Sequence, residues 1–372
     1  TILVFDERVP SPDRDAGSAR MFMILKALGQ WRHVVFVPFN RPQGIEYEQA
    51  LWQAGIETAD AVDYRRLLKT RNVQAAIVSR PSIAEAMVPR IRRANKNAAV
   101  VFDMVDAHFI RLERESQITG NVQTARAAQR YRKLETGLAR ASDLIWCNSP
   151  EDKRVMEAEA PGKRIEVIPT IHSLHDRGKS FSTRRGLLFV GNLAHKPNGD
   201  AVHYFMSEIF PLVEQDLPDA KLFIVGDNAT AEFQAYASER VLVTGYLPDI
   251  EPLLQGCRVF IAPLRFGAGV KGKVGEAMSY ALPVVTTSIG AEGFGLENKF
   301  NAMIADTAET FAAAVLRLYS DQELWERLAQ NSWRQVEENF TPEKIADTIN
   351  NSIKETVLIE PEKQARTLSE NQ

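Results

Sequence analysis

The chain has little with which to cross-link itself. Of 372 residues only two are cysteine, Cys147 and Cys257, and each lies in an apolar run (144–147 and 257–261), the setting of a buried, unpaired thiol. No cysteine pair stands at metal-ligand spacing. The six histidines, His33, His108, His172, His175, His195 and His203, are scattered, so a structural zinc site has little support and no metal is expected. No stretch approaches the roughly 20 uninterrupted apolar residues of a membrane-spanning helix. Residues 1–6 run straight into a strand-like segment with no basic region ahead of it, unlike a signal peptide. A cytoplasmic protein is expected. The missing initiator methionine and the polar run 360–372 are compatible with a domain cut from a longer polypeptide. Neither sign of charge dominates: 45 Lys and Arg stand against 48 Asp and Glu, for a net charge of -3. The resulting pI of about 6.1 argues against a nucleic-acid partner. With 45% hydrophobic and 25% charged residues, disordered and collagen-like chains are excluded.

The near-neutral total hides an asymmetry: residues 1–170 carry +5 and the remainder -8. A mildly basic first half suits an anionic acceptor or peripheral contact with the inner face of a membrane, and Arg90, Arg92, Arg93 and Lys96 form its densest cluster. An ordinary solvated helix face is the alternative reading. Short apolar runs alternate with helical patterns along the whole chain, the pattern of strand-helix-strand units and parallel sheets. Strands are expected at 2–6, 33–39, 75–79, 98–104, 143–148 and 164–168, then at 186–191, 220–226, 241–243, 259–262 and 283–286. Runs such as Val34-Val35-Phe36-Val37 are continuous rather than alternating, as in strands buried on both faces. This length fits two domains. The expectation is a Rossmann-like domain over 1–170, a linker over 171–185, a second Rossmann-like domain over 186–340, and a C-terminal helix and polar tail over 341–372 returning toward the first domain.

The segment 263–277 is the most informative. It follows a strand, contains Gly267, Gly269, Gly272 and Gly275, and opens a helix near Lys273. Backbone N–H groups, a helix N-terminus and two lysines, Lys271 and Lys273, converge where a phosphate or diphosphate would sit. Two named phosphate motifs nearly match. Gly267, Gly272 and Lys273 keep the GxxxxGK spacing, but Val274 replaces the magnesium-binding hydroxyl. Gly267, Gly269 and Gly272 satisfy GxGxxG, but the next strand ends without an acidic residue for a ribose. An ordinary glycine-rich turn with exposed lysines is the alternative. Glu276, in the first turn of the helix, is placed either to accept ribose hydroxyls or to balance the helix dipole.

Together with Phe189-Val190-Gly191-Asn192-Leu193, Lys196-Pro197-Asn198, Ile224-Val225-Gly226, Gly245-Tyr246-Leu247-Pro248-Asp249 and Ala281-Leu282-Pro283-Val284-Val285, this segment resembles the nucleotide-sugar lobe of glycosyltransferase family four. The resemblance implies an α/β GT-B fold, two Rossmann-like parallel-sheet domains facing across a cleft, with opening and closing about residues 170–185. It also implies retention of anomeric configuration, no metal, and no cofactor beyond a UDP- or GDP-sugar donor. Lys273 and Lys271 would bind the donor diphosphate, Glu276 the ribose, and the backbone at Tyr246 and Leu247 the nucleobase. The family often places another glutamate eight positions before Glu276, where this chain has Ala268. It often has arginine where this chain has Asn192. Donor-sugar contacts are therefore expected from amides of Gly267, Ala268, Gly269 and Val270, with Arg265 and His195 nearby.

In the first half, the loop after the first strand leads to Gly17 and Ser18, whose amides are candidates for sugar or phosphate contact, although Ser18 equally suits a helix cap. His108 follows the strand ending near Phe102, and the resemblance puts a sugar-contacting histidine there, with Asp106 placed to orient it. The combined reading is a retaining hexosyltransferase acting on a glycan, lipid-linked or protein-linked acceptor in polysaccharide or glycoconjugate synthesis. A non-catalytic sugar-nucleotide or glycan-binding module, or a GT-B epimerase or phosphorylase, is the alternative.

Overall fold

A computed structural model describes residues 1–40 and 45–370, with side chains described through Val357. The chain forms two units: Thr1–Ile171 joined by the segment from Pro342 onward, and His172–Thr341.

The first unit is built on strands β1 (Ile2–Arg8), β2 (Val34–Asn40), β3 (Glu57–Thr58), β4 (Ala75–Ser79), β5 (Ala99–Asp103), β6 (Leu144–Cys147) and β7 (Arg164–Val167). All pair in parallel, in the order β3-β2-β1-β4-β5-β6-β7. Between them run α1 (Ala16–Gly29), α2 (Glu46–Gln53), α3 (Tyr64–Thr70), α4 (Pro81–Ala94), α5 (His108–Thr119), α6 (Val122–Ala141) and α7 (Pro150–Glu159). Alternate residues of β1 and β2 face opposite cores. Ile2, Val4, Val34 and Phe36 join the α1 side, whereas Leu3, Phe5, Val35 and Val37 join the side covered by α3 and α4. β4 and β5 are buried along their whole length, which explains their unbroken apolar sequence.

The second unit repeats the plan with β8 (Leu187–Val190), β9 (Leu222–Val225), β10 (Val241–Gly245), β11 (Val259–Ala262), β12 (Val284–Thr286) and β13 (Met303–Ile304), paired in parallel as β10-β9-β8-β11-β12-β13. Its helices are α8 (Lys196–Tyr204), α9 (Phe210–Asp216), α10 (Ala231–Gln234), α11 (Glu251–Gly256), α12 (Gly272–Ser279), α13 (Ala308–Ser320) and α14 (Gln322–Asn339). A last helix, α15 (Pro342–Glu370), belongs to the first unit and packs Ile345, Ile349 and Ile353 into the α1 core. Residues 371–372 of the expected tail lie outside the described residues.

Three details depart from the sequence reading. The two-residue strands β3 and β13 were not anticipated. Helix α1 is capped by Asp15, whose carboxylate accepts the Ser18 N–H and hydroxyl at 2.8 Å; Ser18 is therefore the capped residue, not the cap. The stretch expected as a linker packs within the second unit from His172 onward. Arg184, fully buried, donates to the carbonyls of Arg177, Lys179, Leu254, Cys257 and Tyr280 at 2.7–3.2 Å. Burial pushes its guanidinium down to about 10.

Among the described residues no helix is long and apolar enough to cross a membrane. None of their His, Cys, Asp and Glu side chains form a group that could hold a metal ion.

Candidate functional site

In each sheet the strand order reverses direction once, between β1 and β4 and between β8 and β11. Chain leaving neighbouring strands diverges there, opening a crevice at the C-terminal strand edge where α/β proteins bind ligands. In the second unit the loops bordering it are 191–195 after β8 and 263–271 after β11, the segments singled out in the sequence.

The β11 loop curls around an ammonium group. Gly267 and Gly269 have φ of 153° and 65°, which lets the backbone turn back on itself. The Lys271 Nζ donates to the Gly269 carbonyl at 2.6 Å and lies 3.4 Å from the Glu292 carboxylate. The side chains of Lys271 and Glu292 are only 10% and 16% exposed, so this pair is shielded from solvent. Glu292 was not picked out in the sequence; it reaches the site on the loop after β12. That loop is fixed by Thr287, which donates its hydroxyl to the Leu264 carbonyl, and by Ser288, which donates its N–H and hydroxyl to Asp306 at 2.7 Å.

Helix α12 starts at Gly272, one residue earlier than expected, with Lys271 at its cap position. Its first turn presents backbone N–H groups along the axis toward the loop. Lys273 and Glu276 pair at 2.6 Å one turn apart, both about one third exposed. Val270 and Gly269 are buried and Ala268 is half-buried. Arg265 turns away from the lysines: its guanidinium pairs with Asp200 on α8 and lies 4.9 Å from the Tyr204 ring. The hydrogen bond to Asp200 holds it above the usual arginine range. This pair ties the β11 loop to the helix after β8.

The base of α12 is packed tightly. Gly275 faces the His172 imidazole and the Phe294 ring, which tilt against each other at 5.8 Å. The His172 N–H donates to the Phe340 carbonyl at 2.8 Å, and His175 stacks on Tyr280 at 3.9 Å. Burial, with Lys273 and His175 nearby, pushes His172 down to about 3. A neutral imidazole thus braces the helix that carries Lys273 and Glu276.

Asn192 organises the opposite bank of the crevice. Its side-chain oxygen accepts from the Ala194 N–H and the Asn228 amide at 3.0 Å, while its carbonyl accepts from Asn198. Gly226, at φ 154°, lies directly against the Gly191 carbonyl. His195 is exposed at the N-cap of α8, and Tyr246 and Leu247 follow β10 half-buried at the same sheet edge.

In the first unit Gly17 sits in the first turn of α1, where a side chain would meet Asp15, Arg80 and Val105. Arg80 itself pairs with the buried Asp6 at 2.8 Å. His108 opens α5. Its Nδ1 lies 3.0 Å from Glu135, and the ring stacks on Tyr131 at 5.3 Å. The expected orienting partner, Asp106, is farther at 3.4 Å and also engages Arg111 at 3.2 Å. Glu135 is fully buried and additionally accepts the N–H groups of His108 and Phe109, which caps α5 from a neighbouring helix. Burial disfavours a charged imidazole, yet Asp106 and Glu135 outweigh it and hold His108 above the usual histidine range. Beneath this edge Asp103 accepts one hydrogen bond from Arg20 at 3.0 Å and one from the Ser79 hydroxyl at 2.9 Å, and its other oxygen makes an ion-pair contact with Arg20 at 2.9 Å.

Residues 184–321, which span the whole second-unit crevice, match the family described as Glycosyl transferases group 1. A 44.6 kDa protein from the cps region of Klebsiella pneumoniae is 30% identical over 172 residues, 44% of this chain and 44% of that protein. YtcC of Bacillus subtilis (strain 168) is 25% identical over 240 residues, 58% of each chain. This chain thus matches about half the length of these curated relatives. Among solved structures, Anabaena Alr3699/HepE in complex with UDP and glucose superposes with a TM-score of 0.72 at 14% identity, over 95% of this chain and 99% of that one. The architecture of two parallel-sheet α/β units is the GT-B fold.

Proposed function

We propose that the chain is a nucleotide-sugar-dependent glycosyltransferase whose donor diphosphate lies between Lys271, Lys273 and the first turn of α12. One observation carries this reading. The shielded cation of Lys271, the Lys273–Glu276 pair and a helix N-terminus meet at the switch point of a sheet that matches a glycosyltransferase family. Each lysine is held by a carboxylate, which suggests an exchange on binding: ribose hydroxyls engage Glu276 and free Lys273 for phosphate. Glu292 can likewise accept donor-sugar hydroxyls as Lys271 turns to the diphosphate. Tyr246 and Leu247 would border the base. The UDP seen with the Anabaena protein favours a uridine nucleotide.

The reaction in this reading joins an acceptor hydroxyl oxygen to the anomeric carbon as that carbon's bond to the β-phosphate oxygen breaks. The acceptor proton leaves with the diphosphate from the same face, and configuration is retained. Charge developing on the leaving group is what the lysines and amides are placed to stabilise, so turnover is expected to survive EDTA. A hexosyl donor, a glycan, lipid-linked or protein-linked acceptor, a cytoplasmic site and a part in surface polysaccharide synthesis complete the proposal.

A thermal-shift panel of nucleotides and UDP- and GDP-sugars tests it, because a ligand bound only to the folded state raises the melting temperature. Lys273→Met should weaken the nucleotide that binds best by roughly 10- to 100-fold, the worth of a charge-assisted hydrogen bond. If no nucleotide or nucleotide sugar stabilises the unaltered chain, the proposal fails.

A further inference from the structure

Arg184 is a fully buried cation, and among the described residues no carboxylate pairs with it. Backbone dipoles meet its charge instead. Of the five carbonyls that accept from its guanidinium, those of Arg177 and Lys179 lie on the chain leading to β8. Those of Leu254 and Cys257 lie at the end of α11, and that of Tyr280 at the end of α12. A helix C-terminus carries the negative pole of the helix dipole and favours a cation. The guanidinium also lies 5.4 Å from the Trp325 ring. Gly178, at φ 67°, leaves it room, since a Cβ there would clash with Arg184 Nη2. Burying a charge without a counter-ion is costly, and an apolar side chain would fill the same space at less cost. What an apolar group cannot do is fix the mutual register of three segments, as a planar fork of five donors does.

The two helices so joined carry the nucleotide contacts at their other ends. α11 and α12 pack on one face of the sheet, sharing a core with Leu188 and Val190 of β8. α11 follows the loop of Tyr246 and Leu247, and α12 begins at Gly272, with Lys273 and Glu276 in its first half. Tyr280 shows how near the two amino ends lie. Its ring is buried and stacks on His175 at 3.9 Å. Burial, then the carboxylates of Glu251, Glu276 and Asp249, push its hydroxyl up to about 12. Glu276 belongs to α12, whereas Asp249 and Glu251 stand at the start of α11, so both helices act on one hydroxyl. A nucleotide with its diphosphate at α12 and its base at Tyr246 and Leu247 spans this gap. Helices of six and eight residues are only about 9 and 12 Å long, so a shift at their carboxyl ends is carried to the amino ends.

We propose that Arg184 is a positioning residue for the nucleotide: by holding α11 against α12 it sets the span between the base and diphosphate contacts. It thereby favours a nucleoside diphosphate over free pyrophosphate. The inference rests on the nucleotide-sugar reading above. The test is calorimetric titration of UDP and of inorganic pyrophosphate into the full chain and into Arg184→Lys, well below their melting temperatures. Lysine keeps the charge but cannot reach five carbonyls. UDP affinity should fall roughly tenfold, the worth of one well-placed hydrogen bond. Pyrophosphate needs only α12 and its lysines, and its affinity should hold. Gly178→Ala displaces the guanidinium while leaving its charge in place; it should lower the same affinity ratio, and it serves if Arg184→Lys does not fold. Leu318→Ala opens a cavity in the core on the opposite face of the sheet, so it should lower the melting temperature and leave the ratio unchanged. Equal losses for both ligands, an unchanged ratio in a folded variant, or the same shift in Leu318→Ala would make Arg184 a structural brace alone and overturn the proposal. If the unaltered chain does not bind UDP, the nucleotide reading fails and takes this proposal with it.

Discussion

Replacing Gly275 with alanine sets two effects of opposite sign against each other. Gly275 lies inside α12, so helix propensity alone predicts a gain of about 1 kcal/mol. The structure predicts a loss. A Cβ at this position would stand 2.6 Å from Phe294 Cε1 and closer still to Phe294 Cζ and His172 Nε2, where carbon contacts prefer about 3.5–4.0 Å. Neither ring has room to retreat: Phe294 is fully buried against Phe340 at 4.8 Å, and His172 is tethered through its backbone to the Phe340 carbonyl. Overpacking of this kind costs about 2–3 kcal/mol, which leaves a net destabilisation of about 1–2 kcal/mol after the propensity gain. Urea unfolding should show a lower midpoint at unchanged slope. Nucleotide affinity should fall as well, because Lys273 and Glu276 ride on the displaced helix. Combining the change with Phe294→Leu should recover part of the loss through a favourable coupling. A Gly275→Ala protein as stable as the parent would refute the packing argument.

Three further outcomes follow from individual contacts. Gly226→Ala drives a methyl into the Gly191 carbonyl at a φ of 154°; it should cost at least about 3 kcal/mol, read as a lowered urea midpoint. His172 is depressed to about 3 when folded but ordinary when unfolded, so its contribution is complete above about pH 6.5. As pH falls below that value toward 3, the contribution is lost at up to about 1.4 kcal/mol per unit, less where solvent reaches the ring. Denaturation at pH values on either side of about 6.5 should show this slope, and His172→Asn should reduce it. Glu135→Gln keeps an acceptor for the α5 amides but removes the anion beside His108, so the His108 titration followed by NMR should move to lower pH.

Strands were legible wherever both faces are buried, because continuous apolar runs such as Val34 to Val37 have no other stable setting. β3 and β13 were not: Glu57 and Thr58 are half-buried, and two residues carry no periodicity. The glycine and lysine cluster was legible because its chemistry is local in sequence. Glu292 and Glu135 were hidden because they act across 21 and 27 residues, on Lys271 and His108 respectively, and nothing beside them marks the partner. Arg184 sat unnoticed in a polar stretch that reads as a tether, since only the folded second unit supplies its ring of carbonyls.

The helix α15 completes the core that α1 began, while His172 to Thr341 forms a separate unit between them. Synthesis therefore delivers the interrupting unit whole before the interrupted one has its last helix. Domains tend to fold as they emerge, so the unit begun by β1, which leaves the ribosome before the interrupting one, must wait with its α1 flank uncovered until α15 arrives.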